Sequence, residues 1–390
     1  MSMSDAPDVQ LERAGKRGLL VGLIGAAGLV GVAMHNPDEF YRSYLFAYVF
    51  WISFPLGSLA LLMLHHLTGG GWGFVIRRLC EAGARTFWLM AALFLPVVAG
   101  MPRLFVWMQW TSAAEAHSPF KFAYLRQPFF LGRAVFYFAV WMLLGYLLSK
   151  WSMEEDVTGD LGLHRKMEAL SAPGLILFGF TSTFAVLDWS MSLEPFWSST
   201  IYGMVYIVIQ VFTALAFLIF LARRFAEHEP LAAVATPSRF HDLGTLLFAF
   251  TMLWAYLAFS QFLIIWAGNL RAEIPWYVHR GTGEWASVAV FLLVFHFFVP
   301  FFVLLNRPLK RRKAILGRVA LAMIFVSAVD VFWLIMPAFH PTAPAIHPGD
   351  LLAPVAIGGL WIWAFAKQAR GRALVPLKDV RLEAAVEHGA

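Results

Sequence analysis

The chain is poor in the residues that build covalent metal centres and charged surfaces. Its 390 residues include one cysteine, Cys80, and only 14% are charged. A single thiol excludes an internal disulfide, a four-cysteine iron–sulfur cluster and a CxxCH site for covalent haem. Soluble domains have about a quarter charged residues, so the low charge also argues against an ordinary soluble domain. We therefore expect the chain to carry neither a covalent haem nor an iron–sulfur cluster of its own.

The chain is rich in long apolar segments. Hydrophobic residues make up 60% of it, and the mean hydropathy is +0.67. A helix needs about 20 apolar residues to cross a bilayer core of about 30 Å. Ten segments are long enough or nearly so, which predicts an all-α integral membrane protein with about ten transmembrane helices. We place these spans at 18–34, 44–66, 86–102, 128–149, 170–191, 199–222, 243–267, 284–306, 314–337 and 351–367.

Basic residues predict the orientation. Of the 30 Lys and Arg residues, 22 fall in one alternating set of loops and tails and six in the other. The positive-inside rule then places both termini in the cytoplasm, as tails 1–17 and 368–390 around a membrane domain 18–367. The start is signal-peptide-like, but nine further spans follow it, and we interpret it as the first transmembrane helix. The net charge of +6 reflects basic membrane-edge loops, and we expect no nucleic-acid binding.

The segment GGGWGFVIRRLCEAGART, residues 69–86, follows the second span. Its mixed composition predicts a short cytoplasmic helix lying at the membrane interface. We expect Arg77 and Arg78 to anchor it to lipid headgroups.

Ionisable residues at membrane depth are functional candidates, because placing them there is costly. Asp188 lies near the outer end of the fifth span, and Asp330 lies in the outer half of the ninth. Burial would bring a carboxyl group closer to a pKa useful for proton transfer near neutral pH. Asp188 has an alternative role, as an ion pair with Arg133 that locks two helices. His296, in the middle of the eighth span, is either a proton carrier or a hydrogen-bonded packing residue.

Two faces carry neutral polar groups at helical spacing. In the seventh span Tyr256 and Ser260 share a face, with Gln261 beside them. In the sixth span Gln210 and Thr213 continue a stripe that begins with two tyrosines. Such groups normally face protein or a water-filled cavity. They would help to hold a hydrogen-bonded water chain, or they would join neighbouring helices.

Several long, aromatic-rich segments resemble one known family. They are LDWSMSLEPFWSSTIYG (187–203), LWAYLAFSQFLIIWAGNL (253–270), IPWYVHR (274–280), HHLTGGGWGFVIRRLCEA (65–82) and HFFVPFFVLLNRPLKR (296–311). Together they look like the F subunit of bacterial alternative complex III, a quinol:cytochrome c oxidoreductase. The resemblance extends over residues 45–315, and the tail after about residue 340 adds little to it.

The resemblance implies a fold similar to the membrane subunit of polysulfide reductase. That fold has two four-helix bundles, here 44–191 and 199–337, flanked by the first and last helices. It also implies a location in the bacterial cytoplasmic (inner) membrane. The implied partners are a paralogous quinol-binding membrane subunit, an iron–sulfur peripheral subunit, and multihaem and monohaem cytochromes c. The implied small molecule is a quinone or quinol, menaquinone or ubiquinone, and the implied role is support of quinol oxidation with proton conduction.

Candidate site residues follow from the resemblance together with the polar faces. A proton pathway would comprise Asp188, Asp330, His296, Tyr256, Ser260, Gln261, Gln210, Thr213 and Glu194. A quinone would contact Arg133, Tyr137, His65 and His66. The family often has Pro-Glu-Glu after the seventh span, whereas this chain has Arg271, Ala272 and Glu273. A proton exit that needs two carboxylates at that loop is therefore in doubt.

Three functions compete at this point. The first is the membrane subunit of a quinol-oxidising respiratory complex. The second is a stand-alone secondary transporter, which is weakly supported because transporters usually break paired helices near the midplane with Gly or Pro. The third is a structural scaffold without chemistry of its own.

Overall fold

Long helices make up most of the chain. The computed structural model describes residues 6–379 and 381–382, and these residues contain no strand. Ten helical stretches are long and apolar enough to cross a membrane, which confirms an all-α integral membrane protein. The helices are α1 (Pro7–His35), α2 (Pro37–Thr68), α3 (Gly71–Ala84), α4 (Phe87–Leu93), α5 (Leu95–Ala99), α6 (Met101–Leu104), α7 (Pro119–Tyr124), α8 (Gln127–Thr158), α9 (Leu161–Trp189), α10 (Tyr202–Phe225), α11 (Leu231–Val234), α12 (Pro237–Gly268), α13 (Ile274–Gly281), α14 (Gly283–Leu292), α15 (Val299–Leu305), α16 (Arg307–Arg311), α17 (Lys313–Ile335) and α18 (Pro348–Ala369). A π-helical turn at Leu293–Phe298 joins α14 to α15, and 3-10 turns lie at Val106–Gln109, Met191–Leu193 and Met336–Ala338.

The centre of the molecule is the contact between α2 and α10. Helix α2 also packs on α3 and α9, while α10 packs on α12 and α17. Gly57 permits the close approach of α2 to α10, because a Cβ atom there would lie 2.1 Å from the carbonyl oxygen of Gln210. Both helices are apolar around most of their circumference, as expected for helices buried on all sides.

The first and last long helices pack against each other, and α18 also packs on α2. Glycines recur along α1 at residues 15, 18, 22, 25 and 28, and they face α18. A Cβ on Gly22 would lie 2.8 Å from the backbone nitrogen of Leu360, so only a hydrogen fits there. Small residues of this spacing let membrane helices approach closely and associate by van der Waals contact. The glycines therefore fix the position of α1 on α18.

The third span differs from its prediction. We expected a span over 86–102 preceded by an interfacial helix, whereas the candidate span runs over Gly71–Ala99. Helix α3 is almost completely buried and packs on α2, α8 and α18. The reason is electrostatic, because acidic side chains from other segments neutralise the two arginines of α3, as described below.

Both described ends of the chain lie at the same end of the molecule. The backbone N–H of Gly371 donates to Asp8 at 3.0 Å, and Arg77 bonds Asp379. We call this the Arg77 end and the opposite one the Asp188 end. Residues 7–17, predicted as part of a tail, belong to α1. In the C-terminal tail Leu374 and Val375 are buried against the membrane domain.

Candidate functional site

Three helical segments within residues 199–337 build a buried cluster around a carboxylate. Asp330 of α17 is 2% exposed, and it accepts a hydrogen bond from the indole Nε1 of Trp254 in α12 at 2.8 Å. His296 is fully buried, and its Nδ1 lies 3.4 Å from the same carboxylate oxygen of Asp330. The ring of His296 stacks on Trp254 with centroids 4.0 Å apart. We call these three residues the Asp330 cluster.

The backbone around His296 is unusual. It forms the π-helical turn Leu293–Phe298 inside an otherwise α-helical span. Such turns are rare in helices and frequently occur at functional sites. Here the turn sets His296 between the rings of Trp254 and Phe212.

Several polar atoms in or near the Asp330 cluster have no hydrogen-bond partner among the residues that the structure describes. Neither ring nitrogen of His296 makes a hydrogen bond within the described part of the chain. Its Nδ1 lies close enough to Asp330 for an ion pair, but the two groups are not hydrogen-bonded. The hydroxyls of Ser327 and Thr213 are buried and also have no partner within the described segments. Ser327 lies one helical turn before Asp330 on the same face. Buried polar groups are normally hydrogen-bonded, often to ordered water, so the surroundings of the cluster suit bound water.

The polar stripe of α10 connects helices in the direction of the Asp188 end. Gln210 accepts a hydrogen bond from Ser182 of α9 at 2.9 Å. The hydroxyls of Tyr202 and Tyr206 each lie 2.8 Å from the hydroxyl of Ser190. The predicted stripe is therefore present, and it joins α10 to α9.

Asp188 forms the ion pair that was one of its two predicted roles. Arg133 donates from Nε and Nη2 to the two carboxylate oxygens at 2.9 and 2.7 Å. Tyr137 donates to the same carboxylate at 2.9 Å. Arg133 also lies over the ring of Tyr124, 3.7 Å from its centroid. This bidentate geometry ties α8 to α9.

A cavity of about 250 Å³ lies beside Tyr124, whose ring contacts Arg133 of this ion pair. Its wall is mostly apolar and includes Tyr124, Leu187 and Trp197, with Lys121 and Ser192 as polar members. Lys121 donates to the carbonyl oxygen of Pro195 at 2.7 Å, and partial burial lowers the pKa of its ammonium group.

Two further groups of polar contacts lie at the Asp188 end. Arg280 donates to Glu194 at 2.7 Å and lies over the ring of Trp276. Gln261 accepts from Ser199 at 3.2 Å and donates to the hydroxyl of Tyr277 at 3.4 Å. Burial raises the pKa of Tyr277 to about 12, so this hydroxyl stays protonated at neutral pH.

Tyr256 is not part of the internal polar network, contrary to prediction. Its side chain is 66% exposed on the outer surface of α12, and Ser260 is only half-buried. Trp254, two residues earlier, provides the inward contact. At 3.6 residues per turn two positions differ by about 200°, so Trp254 and Tyr256 face opposite sides. Tyr256 is therefore removed from the predicted water chain.

His65 and His66, two of the predicted quinone contacts, are buried at the Arg77 end of α2. Tyr48 contacts Trp189, beside Asp188, and His65 lies a further 17 residues along the helix, about 25 Å at 1.5 Å per residue. The four predicted quinone contacts thus cannot form one site, because Arg133 and Tyr137 meet at Asp188 whereas His65 and His66 lie together at the Arg77 end.

A buried ionic cluster at the Arg77 end was not predicted from the sequence. Arg77 bonds Asp379, and its Nη2 lies 3.1 Å from Glu155, while Arg78 bonds Glu81 at 2.6 Å. Further members are Ser152, Asp156 and His164. Burial alone would raise the pKa of Asp379, but the charges of Arg77 and Arg381 and the hydrogen bond from the backbone N–H of Arg381 together outweigh it, and the pKa falls below its usual value. The prediction that Arg77 and Arg78 contact lipid headgroups is therefore wrong.

No protein-family model matches the chain, and no curated protein sequence matches it.

Proposed function

We propose that the chain conducts protons through residues 199–337, the second predicted four-helix bundle, as the membrane subunit of a quinol-oxidising respiratory complex in the bacterial cytoplasmic membrane. The observation that supports this most is the Asp330 cluster, because it places a carboxyl group and an imidazole beside each other at membrane depth. Intramembrane carboxylates paired with histidines are typical of proton relays. In the orientation predicted from basic residues, the Asp188 end faces the periplasm and both termini lie in the cytoplasm.

The contacts of the cluster suit proton transfer. Asp330 receives one hydrogen bond among the described residues, from Trp254, whereas the carboxylate of Asp188 receives three. The carboxylate of Asp330 can therefore still accept a proton or a hydrogen bond from water. Trp254 orients both the carboxylate and the stacked ring of His296, so a single residue positions the two groups that would exchange a proton.

The path is better formed toward the Asp188 end than toward the Arg77 end. From the cluster, Gln210 and Tyr206 continue the polar stripe to Ser182 and Ser190. Toward the Arg77 end, residues 246–250 of α12 are all apolar. The next polar side chain beyond them in this helix is Thr245, whose hydroxyl lies 3.0 Å from Nζ of Lys310. Water would have to enter this apolar stretch, or the helices would have to move, for a proton to cross the whole membrane.

The test is proton translocation by the purified complex in proteoliposomes, measured with a pH-sensitive dye during quinol oxidation. Asp330→Asn and His296→Gln should each reduce the protons moved per electron. Glu284→Gln is the matched control, since Glu284 is an exposed carboxylate at the start of α14 in the same helix group. Wild-type ratios in both cluster variants would refute the proposal. Loss of the partner subunits from the purified variants would support the scaffold function instead.

A second candidate function, quinone binding, rests on the cavity beside Asp188. Its apolar and aromatic wall with few polar groups is the usual character of small-molecule sites. Lys121 donates one N–H to Pro195 and has further N–H groups to donate to a quinone carbonyl oxygen. Leu187→Trp should fill the cavity and lower the quinone that is extracted with the purified protein. Leu177→Trp, at an exposed position of the same helix, should not, and equal quinone content in both variants would exclude this site.

A further inference from the structure

Three potential metal ligands meet at the Asp188 end, outside the proton path and the cavity. Glu39 lies in the first turn of α2, His340 follows the 3-10 turn Met336–Ala338, and His347 immediately precedes α18. One ligand atom from each residue lies within 4.8 Å of the other two. The three residues come from distant parts of the sequence, so only the fold assembles them.

The spacing matches zinc coordination. Oε2 of Glu39 lies 3.2 Å from Nε2 of His340 and 3.5 Å from Nε2 of His347. Ligands bound at about 2.0–2.1 Å in a tetrahedron are separated by about 3.3 Å. Two edges of the tetrahedron therefore already have the required length. A small rotation of the histidine rings, whose centroids lie 5.6 Å apart, would complete the third edge.

The surroundings hold the carboxylate in place for an ion. Arg42 bonds Oε1 of Glu39 at 2.5 Å, so Oε2 is the oxygen that faces the histidines. The backbone N–H of Glu39 donates to Asn36, and the backbone N–H of His347 donates to Asp350 at 2.9 Å. Contacts of this kind orient metal ligands in known sites. Glu39 is buried, whereas the two histidines are partly exposed, which gives an ion access from solvent.

In a second group, Glu155, His164 and Asp379, one ligand atom from each residue also lies within 4.8 Å of the other two. Arg77 already contacts both of its carboxylates. A cation there would have to displace a buried guanidinium group, so this group is a useful control and not a candidate.

We propose that Glu39, His340 and His347 bind a divalent transition-metal ion, with Zn²⁺ the best match. Two imidazoles and one carboxylate are a common zinc ligand set, and it leaves a fourth position for water. The ion would attach the connection between α17 and α18 to the start of α2. The proposal does not depend on proton conduction or quinone binding.

The test uses the full-length protein in detergent, purified with an affinity tag free of histidine and treated with EDTA. Competition with a chromophoric chelator should show one Zn²⁺ bound per chain. His340→Gln and His347→Gln should each weaken binding at least tenfold. His35→Gln, at an exposed histidine whose ring contacts the Gly31 carbonyl oxygen, and His164→Gln should leave it unchanged.

Two outcomes would overturn the proposal. One is the absence of stoichiometric binding by the wild-type protein, and the other is binding that survives the double variant H340Q/H347Q or is lost in His164→Gln. If a ligand variant fails to fold, X-ray absorption of the zinc-loaded wild-type protein decides the matter. It should show two coordinated imidazoles with nitrogen and oxygen ligands at about 2.0–2.2 Å, and a zinc shell without imidazole would refute the site.

Discussion

Replacing Gly22 by alanine should loosen the packing of α1 on α18. The added Cβ would lie 2.8 Å from the nitrogen of Leu360, 3.0 Å from the carbonyl carbon of Gly359 and 3.1 Å from the carbonyl oxygen of Ala356. All three are backbone atoms, so no side-chain rotation relieves the overlap. Ordinary contact begins near 3.4 Å, and the helices must separate locally by roughly 0.5 Å to regain favourable van der Waals distances.

The magnitude follows from opposing contributions. Overpacking costs about 1–3 kcal/mol, whereas glycine to alanine in a helix gains up to about 1 kcal/mol. Gly31→Ala, in the same helix, measures the gain in helix stability alone, because nothing lies within 4 Å of a Cβ atom at Gly31. The difference between the two variants is therefore the packing cost of about 1–3 kcal/mol. It corresponds to a roughly 5- to 150-fold larger fraction of molecules in which α1 has left α18.

Thiol labelling measures this opening directly. Ala366 is 3% exposed and faces Gly15 across the same interface. With Ala366→Cys in a Cys80→Ala background, maleimide should react only when α1 moves away. Gly22→Ala should raise the labelling rate by the factor above relative to Gly31→Ala. Equal rates in the two variants would show that the close approach of α1 and α18 does not stabilise their contact.

The remaining predictions concern the ionic cluster at the Arg77 end. Arg77→Met should lower the melting temperature strongly, because it leaves buried carboxylates without their cation, a change that costs about 3–5 kcal/mol. Arg85→Met, one residue beyond α3 and only half-buried, should have a small effect, and similar melting temperatures for both variants would contradict this reasoning. Asp379 has a lowered pKa in the folded chain. Its stabilising effect is therefore present above its unfolded pKa of about 3.9 and is lost as pH falls through the folded value. Asp379→Asn should thus be less stable than wild type at pH 7, and the difference should shrink as the pH falls below about 4. Thermal unfolding at several pH values checks this, and a constant difference would argue against it.

Contacts between polar residues were only partly predictable from the sequence. The ion pair of Asp188 with Arg133 was foreseen as an alternative, because both residues lie near the same membrane depth. The pairing of Asp330 with His296 was not foreseen, although both were singled out. Trp254 was overlooked because an indole in a membrane helix looks apolar, whereas its N–H needs a partner when buried.

The errors have a common physical cause. Polar groups at helical spacing do not by themselves reveal which face of a membrane helix is buried, so Tyr256 was assigned inward and lies outward. Arginine near a membrane edge is normally an anchor, yet Arg77 is buried because Glu155 and Asp379 neutralise it. These carboxylates lie 78 and 302 residues away in sequence, and no local pattern connects them to α3.

The sequence by itself determined that this is an all-α membrane protein with ten spans, because hydropathy and length act locally and need no knowledge of neighbours. It also singled out several of the buried polar residues, among them Asp188, Asp330 and His296. Only the tertiary structure decided which of them meet, since α12, α17 and the π-helical turn must pack together before Trp254, Asp330 and His296 touch. The same holds for Glu39, His340 and His347, whose common position depends on where three separate segments end.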